Sequence, residues 1–206
     1  MASNAPSSDN RRTAAIERTT NETSIRLELG FDPDSAPSYE HKTGVGFFDH
    51  MLDHIGKHGR LDLRIEAKGD THVDDHHTVE DVGIVLGQAL DQALGDRKGI
   101  ERYGFASVPM DESLARVSID LSGRFALVFD AGFSSVDAKI GSFDVQLVRE
   151  FFYAVAQAGR FNLHVEVPSA GNDHHVAEAI FKAFGRALYQ ATRVTRDDMP
   201  STKGSL

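Results

Sequence analysis

From Thr13 to Leu29 apolar and polar residues alternate, as Ala15-Ile16-Glu17-Arg18-Thr19 and then Ser24-Ile25-Arg26-Leu27-Glu28-Leu29. A two-residue period is that of a half-buried strand pair, and Gly30 ends it. A loop holding Pro33 and Pro37 runs to Gly46, with Gly44-x-Gly46 as a helix-entry turn. The period then lengthens. Phe47, Met51, Leu52 and Ile55 share one face of a helix predicted over Phe47 to His58, stopped by Gly59. Leu61 to Ala67 alternates again as a strand, and Val79, Val82, Leu86, Ala89, Leu90 and Ala93 form the apolar face of a helix ending near Gly95.

The second half retraces this order. Strands are expected at Phe105 to Pro109, Ala115 to Leu121 and Phe125 to Phe129, a helix over Phe143 to Ala158, a strand at Phe161 to Val167, and a helix over Val176 to Thr192. The match extends to residues. Gly59-Arg60-Leu61-Asp62-Leu63-Arg64-Ile65-Glu66-Ala67 lines up with Gly159-Arg160-Phe161-Asn162-Leu163-His164-Val165-Glu166-Val167, four of nine identical. Gly87-Gln88-Ala89-Leu90 lines up with Gly185-Arg186-Ala187-Leu188, and Ile25 to Leu29 with Val117 to Leu121. The pattern therefore predicts an α+β fold, internally duplicated. Its two β-sheet-plus-two-helix halves, 11–98 and 99–196, are related by a pseudo-twofold, with a disordered stretch 1–10 before them and a tail 197–206 after.

Composition narrows the chemistry. At 206 residues with 40% hydrophobic side chains the chain can bury a sizeable core. Its net charge of −9 argues against a general nucleic-acid or anionic-membrane surface. No long apolar run and no apolar signal core occur, so the expected compartment is the cytoplasm. With no cysteine, any metal must be held by histidine and carboxylate.

Such residues cluster twice, as Asp75-His76-His77-Thr78-Val79-Glu80 and Asp173-His174-His175-Val176-Ala177-Glu178. Each reads D-H-H-x-x-E at the start of a predicted helix. Four-residue spacing lets His76 converge with Glu80, and His174 with Glu178, while His77 and His175 point about 100° away. Sliding the halves by 100 residues sets His50 opposite Glu150. Four ligand candidates per half result: His50, His76, His77 and Glu80, then Glu150, His174, His175 and Glu178. Two such sites suit six-coordinate, manganese-like geometry, and zinc or iron share the same ligand types. His50, His54 and His58 fall on one helical face. His54 and His58 either line a pocket behind His50 or form a solvated face. His72 is a turn residue or orients a ligand, and His41 and His164 are read as loop and strand residues without a role.

Four segments together resemble a known family: G-x-G-F-F-D-H-M-L-D-H from Gly44, G-D-T-H-V-D-D-H-H-T-V-E-D from Gly69, N-D-H-H-V-A-E-A-I-F-K-A-F-G-R-A-L from Asn172 and P-S-T-K-G from Pro200. They are similar to the monofunctional imidazoleglycerol-phosphate dehydratases of histidine biosynthesis, and the likeness runs from Arg11 to the C-terminus. The resemblance implies a hydro-lyase with two Mn²⁺ ions per active site and a homo-oligomer of 24 subunits with sites at subunit contacts. It carries the ligand set onto His50, His76, His77, Glu80, Glu150, His174, His175 and Glu178. At Glu150 the chain departs from the family's pattern, which has histidine there, and at His54 from the more frequent glutamine.

The resemblance also marks Arg102, Arg124, Lys182, Ser201 and Lys203 as a phosphate-binding set, suited to a small phosphate ester. His54 and His58 fall to substrate binding, and Glu22 to acid/base work and substrate contact. Glu178 is expected to serve catalysis as well as a metal. The implied reaction removes a hydroxyl from the carbon attached to the imidazole and a proton from the next carbon. Another di-metal enzyme, such as a phosphoesterase, would use similar ligands.

Overall fold

The computed structural model describes residues 12–33 and 35–206, so the expected disordered stretch 1–10 lies outside the described residues. The alternating segment folds as a hairpin of β1 (Thr13–Thr19) and β2 (Thr23–Gly30). After it come β3 (Tyr39–Lys42), α1 (Gly46–Gly59), β4 (Asp62–Gly69) and α2 (His76–Leu94). The second half runs β5 (Tyr103–Met110), β6 (Ser113–Asp120), β7 (Ala126–Asp130), a small hairpin of β8 (Lys139–Ile140) and β9 (Phe143–Asp144), then α3 (Gln146–Ala158), β10 (Asn162–Ser169) and α4 (Asp173–Thr192). The four-stranded sheets have orders β1-β2-β4-β3 and β5-β6-β10-β7, one topology written twice. In each, the last-named strand is parallel to its neighbour, because a helix carries the chain back across the sheet face.

Two expectations need correction. Tyr39–Lys42, read as loop, is a parallel edge strand on β4. Its alternation is only four residues long and its single buried side chain is His41, so pairing with β4 and not hydrophobicity defines it. The helix expected from Phe143 begins at Gln146, because Phe143 is buried in the β8–β9 hairpin, where Ile140 pairs with it.

The helices lie between the sheets and pair across the halves. α2 covers β1 and β2, α4 covers β5 and β6, while α1 packs on α4 and α2 on α3. At the centre Phe152 contacts Phe151, Phe181 and Phe184 with ring centroids 5.1, 4.8 and 5.0 Å away. Burying each such ring contributes about 1.5–3 kcal/mol; these four join α3 to α4 within the second half, and Phe48 of α1, 5.2 Å from Phe151, links the first half to them.

Strand pairing refines the duplication. Leu29 pairs with Leu63 and Ile119 with Leu163. Leu63 and Leu163 correspond, so Leu29 matches Ile119 and the alignment of Ile25–Leu29 with Val117–Leu121 slips by two residues. A slip of two preserves which face each side chain takes, so alternation alone could not detect it. The corrected register superposes the hairpin turns Asn21-Glu22-Thr23 and Asp111-Glu112-Ser113.

Candidate metal and substrate site

Both His pairs sit on the first turns of α2 and α4, and the same device starts each helix. The Asp74 carboxylate accepts the His76 N–H at 2.8 Å, and the Asn172 side chain accepts the His174 N–H at 2.9 Å. Helical spacing then does what the sequence predicts. Nε2 of His174 lies 3.2 Å from Oε2 of Glu178, and Nε2 of His76 lies 3.8 Å from Oε2 of Glu80.

The structure regroups the candidates across the halves. α1 lies against α4, so His50 comes 3.8 Å from Oε2 of Glu178, and Nε2 of His54 comes 3.5 Å from Oε1. His50, His54 and Glu178 form a group with all ligand atoms within 4.8 Å, and His174 adjoins it through Glu178. His50 therefore joins the ligands of the other half, not His76, His77 and Glu80. Packing of α3 on α2 places Glu150 on the matching helix pair. It joins no such group among the described residues, and its carboxylate instead accepts from the neighbouring Arg149 at 3.1 Å.

His77 and His175 turn away from both clusters, as the 100° step requires. Nδ1 of His77 is 3.0 Å from Asp70 and 3.8 Å from Glu22. Nδ1 of His175 is 3.0 Å from Glu112, with Asp111 3.8 Å from its Nε2. Glu112 thus stands on His175 where its counterpart Glu22 stands near His77. Sequence reasoning missed Asp70, Asp111 and Glu112. The two-residue slip concealed the last two, since the correct register is what matches Glu112 to Glu22.

The electrostatics follow from these contacts. Burial of Glu178 favours its neutral form, yet the Lys182 ammonium bonded to it and the adjacent His54 and His50 leave its carboxyl below the usual range. Burial drives the His54 imidazole down to about 4, opposed by Glu178, so it is neutral at pH 7, and its Nε2 has no hydrogen-bond partner. Glu112 is held down to about 2, first by the Asn172 backbone N–H and also by His175. The Asp70 hydrogen bond raises the His77 pKa. Imidazoles facing a carboxylate, one of them the neutral His54 with its orphaned buried ring nitrogen, are a donor set that fits a divalent cation.

His50, His54 and His58 do form one stripe, with ring centroids 4.6 and 5.8 Å apart. The phosphate set divides. Lys182 belongs to the α1–α4 contact beside Glu178. Arg102 donates to Asp120 at 2.7 Å and to the Pro200 carbonyl at 2.8 Å, which anchors the tail carrying Ser201 and Lys203. Arg124 lies by the same tail, since Gly123 packs against Leu206. The loop position of His41 is also corrected: it is on β3 and buried.

A family model described as imidazoleglycerol-phosphate dehydratase matches residues 43–188. An imidazoleglycerol-phosphate dehydratase of Geobacillus kaustophilus is 56% identical over 197 residues, covering 95% of this chain and 99% of that protein. That of Lacticaseibacillus casei is 54% identical, covering 94% and 98%. The crystal structure of the Staphylococcus aureus dehydratase is 44% identical, with a TM-score of 0.78 over 89% of this chain and 99% of that one. The Pyrococcus furiosus structure, in complex with (S)-C348, is 35% identical with the same TM-score over 93% and 100%. With ligand-type residues gathered on duplicated helix starts and relatives matched along nearly their whole length, the chain belongs to the imidazoleglycerol-phosphate dehydratases, the hydro-lyases of histidine biosynthesis.

Proposed function

We propose that this chain converts imidazole-glycerol phosphate to imidazole-acetol phosphate with two Mn²⁺ ions per active site, as a cytoplasmic homo-oligomer of 24 subunits with sites at subunit contacts. The observation that carries the reading is the group of His50, His174 and Glu178 at the α1–α4 contact. This group would hold one ion, and His76, Glu80 and Glu150 at the α2–α3 contact the other. His77 and His175 face away from these clusters, which suits them to complete the clusters of neighbouring copies. When bound, the metal supplies Lewis-acid stabilisation of negative charge on the imidazole ring.

The chain's own groups do the rest. Lys182, Arg102, Arg124, Ser201 and Lys203 bind the phosphate, which fixes the glycerol chain against the reacting carboxylates. Lys182 also holds Glu178 ionised and oriented. His54 and His58 wall the pocket behind His50 and keep an uncharged surface toward the ring. The hydroxyl leaves the ring-attached carbon, and Glu22 takes the proton from the next carbon. Breaking those C–O and C–H bonds releases one water and leaves an enol, which tautomerises to the ketone. Glu22 is exposed on its turn, and Thr20 fixes that turn by accepting the Glu22 N–H at 3.1 Å.

The test is an assay with imidazole-glycerol phosphate on chelator-stripped protein, with and without added Mn²⁺. Ketone should form only with Mn²⁺, with no inorganic phosphate released. Absence of ketone in metal-replete protein would defeat the dehydration reading, equal turnover without metal would defeat the manganese role, and phosphate release would identify a phosphoesterase. Glu22→Gln should lose turnover while keeping its manganese.

A further inference from the structure

α1 and α4 run alongside one another in the same direction: His50 and His54 meet Glu178, and about two turns later Gly59 meets Gly185. Followed away from the candidate metal centre, this contact opens into a groove of about 590 Å³ between the ends of the two helices and β5. Lys57, Arg60, Arg186 and Arg193 line it, with Phe105 and Tyr189 as aromatic walls, and no aspartate or glutamate is among its lining residues. The chain as a whole has 31 acidic against 22 basic residues, so a wholly cationic groove runs against its composition.

These cations lack the carboxylate partners that several surface cations elsewhere have. Arg26 sits 2.8 Å from Glu28, Arg64 3.1 Å from Glu66 and Lys139 3.0 Å from Asp144. Among the described residues no carboxylate comes within 4.0 Å of Lys57, Arg60, Arg186 or Arg193. Two of the guanidiniums are nevertheless held in place. Arg60 and Arg193 both lie by the Tyr189 ring, 5.5 and 5.9 Å from its centroid. Gln190 accepts the Phe105 N–H at 2.9 Å, which fixes its amide and leaves its NH₂ as a further donor. The uncompensated field reaches His58, whose imidazole is depressed first by burial and then by Lys182, Lys57 and Arg186.

We propose that this groove is a second anion site, distinct from the one for the substrate's phosphate, and that it binds a di- or polyphosphate group. Guanidiniums bind phosphate oxygens in bidentate fashion, and several converging cations favour a multiply charged ligand over a single monoester. None of Arg102, Arg124, Lys182, Ser201 or Lys203 lines the groove, and the one residue it shares with the proposed substrate pocket is His58, at its near edge. Tyr189 stands about 16 Å beyond Glu178 along α4, from the helical rise per residue. The exposed Phe105 ring offers a face on which a nucleoside base can stack.

The test is calorimetric titration of the intact protein with ADP, with inorganic phosphate and adenosine as separate arms, in phosphate-free buffer. ADP should bind wild-type protein, and its affinity should fall at least about tenfold in Lys57→Gln/Arg193→Gln, since each lost charge-assisted bond is a strong one. Added salt should weaken binding. Lys57→Glu alone, a change at an exposed position, should give the same direction and guards against a fold defect in the double variant. Dehydratase kcat should be unchanged in both variants, so binding here and turnover there succeed or fail separately. Equal ADP affinity in wild type and the double variant, no ADP binding at all, or adenosine binding as tightly as ADP would overturn the proposal. A change of oligomer mass in Lys57→Glu would also overturn it, by showing that another copy's acidic surface covers the groove.

Discussion

The α1–α4 and α2–α3 contacts are two copies of one design, and they have diverged in what lies behind the ligands. His54 and His58 of α1 correspond to Ala154 and Ala158 of α3, and Lys182 and Arg186 of α4 correspond to Ile84 and Gln88 of α2. The second contact is close and apolar. A Cβ at Gly87 would lie 2.5 Å from the Val155 carbonyl and 2.7 Å from Ala158, whereas one at Gly185 would come no nearer than 3.0 Å, to the Gly59 nitrogen. Duplication thus copied the ligand positions twice and the polar pocket once. The lesson is that the two proposed metal positions, of similar ligand type, need not be chemically equivalent: one faces a pocket of imidazoles and a lysine, the other a packed wall.

The largest test of this contrast is Glu178→Gln against Glu150→Gln. The first removes the carboxylate shared by three histidines, and kcat should fall by about 10²- to 10⁴-fold. Glu150 is turned toward Arg149, so its variant should lose less turnover while still lowering manganese content, measured by elemental analysis. Equal losses would break the inequivalence. Next in size, Glu112→Gln and Asp70→Asn remove the carboxylates on His175 and His77. Each should weaken manganese binding by about 10- to 100-fold, read as free Mn²⁺ in a spin-resonance titration. Unchanged affinity would show that these carboxylates do not orient the histidines for a metal.

Packing provides the third test. Gly87→Ala should destabilise by about 1–3 kcal/mol through overpacking, and Gly185→Ala by less, both measured by urea unfolding. The smallest effect concerns His41, which takes in β3 the position that Phe129 takes in β7, since their partners Ile65 and Val165 correspond. Burial lowers the His41 pKa, and neither ring nitrogen has a hydrogen-bond partner. The unfolded chain therefore binds the proton more readily, so this contribution to stability is present above the ordinary histidine pKa and is lost as pH falls below it. His41→Phe should make unfolding less sensitive to acid between pH 8 and 5. An unaltered pH slope would show that His41 takes up its proton alike in the folded and unfolded states.

Much of this was legible in the sequence. Alternation and four-residue spacing are set by local geometry, so they located the β1–β2 and β5–β6 hairpins, the four helices and the convergence of His174 with Glu178 before any packing was known. Duplication was visible because both halves must bury equivalent faces. Register was not visible, since a shift of two leaves the burial pattern intact, and that hid Glu112. The grouping of His50 with Glu178 depends on which helices cross the pseudo-twofold, a long-range choice expressed in the packing of α1 on α4 and α2 on α3. Tyr39–Lys42 was hidden because an edge strand with a buried histidine has no hydrophobic signature.

The outward turn of His77 and His175 has a consequence for mixed assemblies. On the proposed reading each copy donates two histidines and receives two, so completeness belongs to a contact between copies and not to a chain. Two inactive proteins, one lacking His77 and the other lacking His50, carry their lesions on opposite sides of that exchange. Reassembled together they would recreate some contacts with both partners intact, and activity would return in a mixture of two dead enzymes.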